Sequence, residues 1–185
     1  MSAPDALALF RIAMVLPIMA LTRAEQLDNH LAWAAALFAL AAFTDFLDGF
    51  IARRTHGGTV LGAFLDTTAD KILVTGTLLA LVSVDLVSIW PAAIIIFREF
   101  AVMALRGVVA IRGGLVKPST WGKIKAVAQF GALFLAFVRL SEPWGPWYLD
   151  QWAMLVAVVA TVGSAWGYLA AFWQTVREEP AEAKT

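Results

Sequence analysis

Six continuous apolar runs, each about 17 to 25 residues long, determine which folds this chain can adopt. They cover residues 5–22, 31–51, 66–84, 88–111, 121–140 and 149–173. A helix of that length crosses the roughly 30 Å hydrocarbon core of a bilayer. Strands are excluded because the runs do not alternate polar with apolar residues, and an open sheet in lipid would leave its edge groups unpaired. The sequence therefore predicts an all-α, polytopic membrane protein with six transmembrane helices.

The first apolar run allows two interpretations. Residues 5–22 carry Arg11 and Pro17, so the segment either crosses the bilayer or lies partly in the interface as an amphipathic helix. It lacks the flanks of a cleaved signal peptide, so we expect it in the mature protein. We assign residues 1–175 to one membrane domain and residues 176–185 to a polar tail.

The composition excludes several classes of protein. The chain is 61% hydrophobic and 15% charged, whereas soluble domains are about 45 to 50% apolar and about 25% charged. Its 14 Lys and Arg residues are balanced by 14 Asp and Glu residues, which argues against nucleic-acid binding because that needs a basic excess. The absence of cysteine excludes disulfides, thiolate zinc sites and thiol nucleophiles.

Basic residues predict the orientation in the membrane. They concentrate in two connections and the C-terminal tail: Arg53, Arg54, Arg112, Lys117, Arg177 and Lys184. Because short cytoplasmic loops carry the excess of Lys and Arg, we expect both termini and both basic connections to be cytoplasmic.

Four carboxylates lie around the first basic connection. Asp45 and Asp48 close the second apolar run, and Asp66 and Asp70 open the third. Spacings of three and four residues place each pair on one helix face. A carboxylate inside a membrane helix costs about 2.5 to 3.5 kcal/mol, so it needs a partner or a function. We expect the two pairs to converge at the cytoplasmic end of two neighbouring antiparallel helices.

Such a cluster is typical of a metal site. Bound cations relieve the repulsion among four like charges better than proton sharing does. Oxygen ligands without Cys or His select hard ions such as Mg²⁺, Mn²⁺ or Ca²⁺, and two divalent ions would balance four carboxylates. The alternative is structural ion pairing with Arg53, Arg54 and Lys71.

The connection between the two pairs is suited to phosphate. Its glycines allow the backbone to approach a ligand closely, and they are Gly49, Gly57, Gly58 and Gly62. Arg53 adds a planar fork that matches phosphate oxygens. Metal ions, an arginine and glycines at one corner indicate a bound diphosphate.

These residues resemble a known signature. The stretch Asp45-x2-Asp48-Gly49-x2-Ala52-Arg53-x8-Gly62-x3-Asp66-x3-Asp70 resembles that of the CDP-alcohol phosphatidyltransferase family at all eight positions and at every spacing. The resemblance implies a six-helix membrane fold, a homodimer, and an active site that faces the cytoplasm from the bacterial inner membrane. It also implies transfer of a phosphatidyl group from a CDP-linked lipid to an alcohol, with release of CMP.

The resemblance assigns roles by position. It implies two divalent cations, Mg²⁺ or Mn²⁺, held by Asp45, Asp48, Asp66 and Asp70. It implies a pocket for the CDP-linked lipid that is lined by Gly49, Ala52, Arg53 and Gly62, in which Arg53 grips the diphosphate. Asp70 is also implied as the catalytic base that takes the proton of the acceptor hydroxyl.

Cations in the second half of the chain indicate an acceptor with its own phosphate. They are Arg98, Arg106, Lys123 and Lys125. Cations that face the interior of a helix bundle favour an anionic ligand. For Arg98 the alternative is an internal salt bridge, to Glu99 or to a neighbouring helix. For the two lysines the alternative is anchoring of the helix at the cytoplasmic interface.

The surrounding residues refine the resemblance. The stretches Phe97-Arg98-Glu99-Phe100, Ala104-Leu105-Arg106 and Gly122-Lys123-Ile124-Lys125 with Gln129 resemble the bacterial branch of the family that acts on CDP-diacylglycerol and sn-glycerol 3-phosphate. Sister reactions that make cardiolipin, phosphatidylinositol phosphate or phosphatidylserine stay open as alternatives. A divalent-cation transporter is an alternative from another class, although the acids lie at one end of the predicted helices only.

Overall fold

The computed structural model describes residues 3–52, 60–111, 120–140 and 142–177, and within residues 45–52 it describes the helix but not the side chains. In these segments the chain forms six helices: α1 Ala3–Thr22, α2 His30–Ala52, α3 Val60–Ser83, α4 Ile89–Ile111, α5 Thr120–Val138 and α6 Leu149–Arg177. The described segments contain no strand beyond an isolated bridge between Trp144 and Trp147. The predicted all-α class is confirmed.

Three helices of the described segments are long and apolar enough to cross a membrane. These spans are Asp5–Thr22, Trp121–Val138 and Leu149–Ala170. The first of them lies in α1, so the length and composition of α1 allow it to span a membrane. Helices α3 and α4 have sufficient length at 24 and 23 residues, but each carries three charged residues that lower its apolar character.

Apolar packing joins the helices into one bundle. Helix α1 packs on α2 and α3, α5 packs on α6 and α2, and α4 packs on α6. At the centre, the Phe38 ring lies 5.7 Å from that of Phe130 and 5.9 Å from that of Phe137, measured between centroids. A Cβ atom at Gly76 would overlap the side chain of Val15, so this glycine allows α3 to approach α1 closely.

The outer surface of the bundle is apolar. Large side chains stand exposed on several helices, among them Leu16, Trp90, Phe97, Val127 and Trp166. A water-soluble monomer rarely exposes so many large apolar groups together. Lipid chains solvate such side chains without penalty, so this is the surface of a membrane protein.

The order of the helices fixes which residues can meet. Side chains of Lys71 on α3, Glu99 on α4 and Lys125 on α5 are in direct contact. Because α3 and α4 are joined by a short turn and run antiparallel, the end of α4 lies beside the start of α3. We call this the carboxylate end of the bundle, since Asp66 and Asp70 lie there, and we call the other end, with Trp90 and Trp147, the tryptophan end.

Candidate active site

Two of the four predicted metal ligands lie on described side chains. Helix α3 begins at Val60, ahead of the apolar run, so Asp66 and Asp70 lie within the helix and one turn apart on one face. Asp45 and Asp48 belong to the last two turns of α2, and their side chains lie outside the described ones. The convergence of the two pairs therefore stays a prediction.

Asp66 is held by a buried arginine. The Arg11 Nη1 atom donates to Asp66 Oδ1 at 3.3 Å, and the Arg11 side chain is fully buried whereas that of Asp66 is 53% exposed. The arginine therefore fixes the carboxylate from the protein side and leaves its other side open. Arg11 is an unusual charge in an apolar run, and its salt bridge with Asp66 accounts for it.

The predicted remainder of the CDP-lipid pocket is only partly described. Gly49 and Ala52 lie in the last turn of α2, and Gly62 lies in the first turn of α3. Arg53 falls in residues 53–59, outside the described part of the chain. The roles of these four residues stay predictions, and the helix ends that carry Ala52 and Gly62 are joined by that short connection.

A buried ionic network lies next to the aspartates, centred on Glu99. The Glu99 side chain is 3% exposed. Its Oε2 atom accepts from Lys71 Nζ at 3.0 Å, and its Oε1 atom accepts from Lys125 Nζ at 2.6 Å and from Arg98 Nη1 at 3.0 Å. Lys71 directly follows Asp70 in α3, so this network adjoins the predicted metal ligands.

Polar side chains of α5 and α6 complete this network. Arg98 Nη2 donates to Ser164 Oγ at 2.7 Å. Gln129 Nε2 donates to Thr161 Oγ1 at 2.8 Å and lies 3.4 Å from Glu99 Oε1. The Glu99 network therefore links α3, α4, α5 and α6 through buried hydrogen bonds, which hold its charged groups in fixed positions.

The network carries excess positive charge. Lys71, Arg98 and Lys125 each contact Glu99, so three cations share one carboxylate. A buried excess of positive charge is stabilised by an anion. The salt bridge predicted as the alternative for Arg98 is present.

The two other predicted acceptor residues are open to the surroundings. Arg106 lies near the end of α4 and Lys123 lies in the first turn of α5, and both side chains are exposed at the carboxylate end. The structure thus separates the four predicted cations into a buried pair in the Glu99 network and an exposed pair closer to the carboxylate end.

Sequence reasoning missed several members of the Glu99 network. The sequence places Lys71 beside the aspartates and Gln129 within the resemblance, but it does not predict that they share a network. Thr161 and Ser164 were not singled out. A signal was available in the spacing, because Thr161 with Ser164, and Lys125 with Gln129, place two polar groups on one face of an apolar helix.

The chain matches a protein-family model along most of its length. The model describes the CDP-alcohol phosphatidyltransferase family and matches residues 1–163. That match includes Asp45, Asp48, Asp66 and Asp70 and every charged member of the Glu99 network.

Three relatives carry the same name. A protein of Bacillus subtilis (strain 168) named CDP-diacylglycerol–glycerol-3-phosphate 3-phosphatidyltransferase is 37% identical, over 94% of this chain and 96% of its own. A protein of the same name from Pseudomonas fluorescens is 35% identical, over 97% of this chain and 94% of its own. The Escherichia coli (strain K12) protein of that name is 37% identical, over 91% and 93%.

Proposed function

This chain belongs to the CDP-alcohol phosphatidyltransferase family, and we propose that it transfers the phosphatidyl group of CDP-diacylglycerol to sn-glycerol 3-phosphate. The products are phosphatidylglycerophosphate and CMP. The observation that carries this proposal is the adjacency of two kinds of site on α3. Asp66 and Asp70 offer carboxylates for metal-bound diphosphate, and Lys71 connects the same helix to a cationic network suited to a second phosphate.

The donors fit a pair of hard cations. Asp66 is fixed by Arg11 on one side and stays half exposed on the other, and Asp70 lies one turn further along α3. We propose that these two carboxylates act with Asp45 and Asp48 as ligands. When bound, two Mg²⁺ or Mn²⁺ ions supply Lewis-acid stabilisation of the diphosphate oxygens and of the charge on departing CMP.

Residues of the protein then bind the substrates and accept the proton during phosphatidyl transfer. Arg53 binds the diphosphate, while Gly49, Ala52 and Gly62 let the nucleotide approach the backbone. The acceptor hydroxyl attacks the lipid-side phosphorus, forming one P–O bond as the P–O bond to CMP breaks. Asp70 accepts the hydroxyl proton, and its position beside the acceptor matters more than its basicity. Arg11 acts as a positioning residue through Asp66.

The Glu99 network supports a phosphorylated acceptor. Three cations against one carboxylate leave a net charge of plus two, which complements the dianion of a phosphomonoester. An acceptor without net charge, such as zwitterionic serine, would leave this charge uncompensated. We propose that Arg98 and Lys125 stabilise the acceptor phosphate from within the bundle and that Arg106 and Lys123 contact it from the exposed side.

Two substitutions test this acceptor pocket. We expect Arg106→Ala or Lys123→Ala to raise the KM for sn-glycerol 3-phosphate by at least about tenfold, because each removes a charge-assisted hydrogen bond. The KM for CDP-diacylglycerol should change by less than about twofold. Steady-state kinetics with each substrate varied in turn provides the measurement.

The matched control for this pair is Arg23→Ala. Arg23 is likewise exposed, but it follows the end of α1 in another connection. It should leave both KM values unchanged. Equal effects of the Arg106 and Lys123 variants on both substrates would contradict a separate acceptor pocket.

We further propose that all six helices cross the inner membrane of a bacterium, with the carboxylate end in the cytoplasm. Helix α4, with 23 residues, rises about 35 Å, which exceeds the hydrocarbon thickness of roughly 30 Å. Its charges do not prevent insertion, because Arg98 and Glu99 are paired inside the bundle. The basic connections at the carboxylate end give the orientation. The family resemblance supports a homodimer.

An acceptor panel tests the proposed reaction. Purified protein is incubated with CDP-diacylglycerol and Mg²⁺, and CMP release is measured with glycerol 3-phosphate, inositol phosphate, serine or phosphatidylglycerol. We expect metal-dependent release with glycerol 3-phosphate and release lower by at least about tenfold with the others. Release with phosphatidylglycerol alone would assign the chain to cardiolipin synthesis. Ion flux across vesicles without CMP release would favour a transporter.

A further inference from the structure

A cavity of about 670 Å³ lies at the tryptophan end of the bundle. It is formed by the end of α3, the start of α4 and the start of α6, with Arg139, which directly follows α5. Along α3, Asp66 and the cavity residue Val82 are separated by roughly 24 Å. The cavity is therefore distinct from the proposed site of phosphatidyl transfer.

An incompletely bonded ion pair lines this cavity. Arg139 Nε lies 3.8 Å from Asp150 Oδ2, which is longer than the usual charge-assisted hydrogen bond of about 2.7 to 2.9 Å. The Asp150 side chain is 3% exposed. Among the described residues, its Oδ1 atom and the Arg139 Nε atom have no hydrogen-bond partner. The pair thus offers one acceptor and one donor to a ligand.

The charges around the cavity select the ligand. Asp85 also lines it, so two carboxylates accompany one guanidinium. The resulting net negative charge disfavours an anion and favours a ligand that brings a cationic donor to Asp150 Oδ1. The same ligand has to present an acceptor to Arg139 Nε, because that donor is unsatisfied as well.

The walls of the cavity favour a ligand with a large apolar part. Most of the lining is apolar, and it includes Leu86, Ile94, Met154, Leu155 and Val158. Trp90 and Trp147 also line the cavity, and tryptophan is the residue enriched at the headgroup level of membranes. A single water bridging the two orphan atoms would occupy about 30 Å³ and leave the apolar walls uncovered.

We propose that this cavity binds a zwitterionic phospholipid with a primary ammonium group, as in phosphatidylethanolamine, from the leaflet opposite to the active site. The ammonium donates to Asp150 Oδ1, the lipid phosphate accepts from Arg139 Nε, and an acyl chain lies along the apolar wall. This lipid is neither a substrate nor a product of the proposed reaction, so the lipid site and the proposed function can be tested independently.

Comparing lipids with and without methyl groups on the headgroup ammonium tests the proposed lipid site. The full-length protein in detergent is titrated with phosphatidylethanolamine or phosphatidylcholine of identical acyl chains, and bound lipid is counted by native mass spectrometry. The quaternary ammonium of phosphatidylcholine has no N–H to donate. We expect phosphatidylethanolamine to bind at least about tenfold more tightly, as for loss of a hydrogen bond to a charged group.

Two variants locate the effect. Asp150→Asn should remove the preference for phosphatidylethanolamine, whereas Asp28→Asn, an exposed acid outside the cavity, should keep it. Equal binding of the two lipids by the unmodified protein would overturn the proposal without any variant having to fold. Tighter binding of anionic phosphatidylglycerol, or a preference that survives in Asp150→Asn, would overturn it as well.

Discussion

Asp66→Asn and Asp70→Asn should each lower turnover by at least about a thousandfold while the protein still inserts and folds. Asn keeps the size of Asp but removes the charge that a hard divalent ion requires. At position 70 it also removes the proposed proton acceptor. Both side chains project from the first half of a continuous helix, and Asp66 is half exposed, so the change should cost activity far more than stability.

The measurement is CMP release from CDP-diacylglycerol at saturating glycerol 3-phosphate and Mg²⁺, with thermal unfolding in detergent recorded alongside. Asp28→Asn is the matched control, because Asp28 is an exposed acid in the connection between α1 and α2 and should leave turnover unchanged. Activity within about twofold of the unmodified protein in either the Asp66 or the Asp70 variant would refute the role assigned to that residue.

The helices were predictable from the sequence because lipid imposes a simple rule. Apolar runs of spanning length have to form helices to satisfy their backbone groups, and the predicted run at 88–111 corresponds closely to α4 at Ile89–Ile111. The start of α3 was less predictable. The predicted run begins at residue 66, whereas the helix extends back to Val60 through the apolar residues 60–65, since the aspartates that follow them do not interrupt it.

The candidate site was predictable from the sequence only where its residues lie about one helical turn apart in the same helix. Asp66 and Asp70 share a helix face through their separation of four residues, and this required no knowledge of the fold. The partner of Asp66 is different, since Arg11 lies on another helix. Because burying an unpaired charge is costly, a buried arginine needs a counter-charge. Only the packing of α1 on α3 determines which acid supplies it.

The same limit applies to Glu99. The sequence indicates the adjacent Arg98 as a salt-bridge partner of Glu99, and that salt bridge is present. The contacts with Lys71 and Lys125 join residues that are far apart in the chain. The register between neighbouring helices sets such contacts, and side-chain packing over the whole bundle determines that register.

Glu99→Gln should be among the most destabilising conservative substitutions in this protein. The glutamine keeps the shape of the side chain, but it leaves Lys71, Arg98 and Lys125 buried together without their shared carboxylate. Removing one partner of a buried ion pair costs about 3 to 5 kcal/mol because the remaining charge is uncompensated. We expect a loss of that size in the free energy of unfolding, measured by denaturant titration in detergent.

A matched pair of variants separates this electrostatic cause from a general effect of the substitution. Glu142→Gln makes the same chemical change at an exposed position and should alter the free energy of unfolding by less than about 0.5 kcal/mol. The double variant Glu99→Gln with Lys125→Met removes one of the three cations that have lost their shared carboxylate. It should recover part of the stability that Glu99→Gln loses. If Glu99→Gln is as stable as the unmodified protein, or if Lys125→Met deepens the loss, the carboxylate does not neutralise these cations. The excess positive charge invoked for the acceptor phosphate would then lack its physical basis.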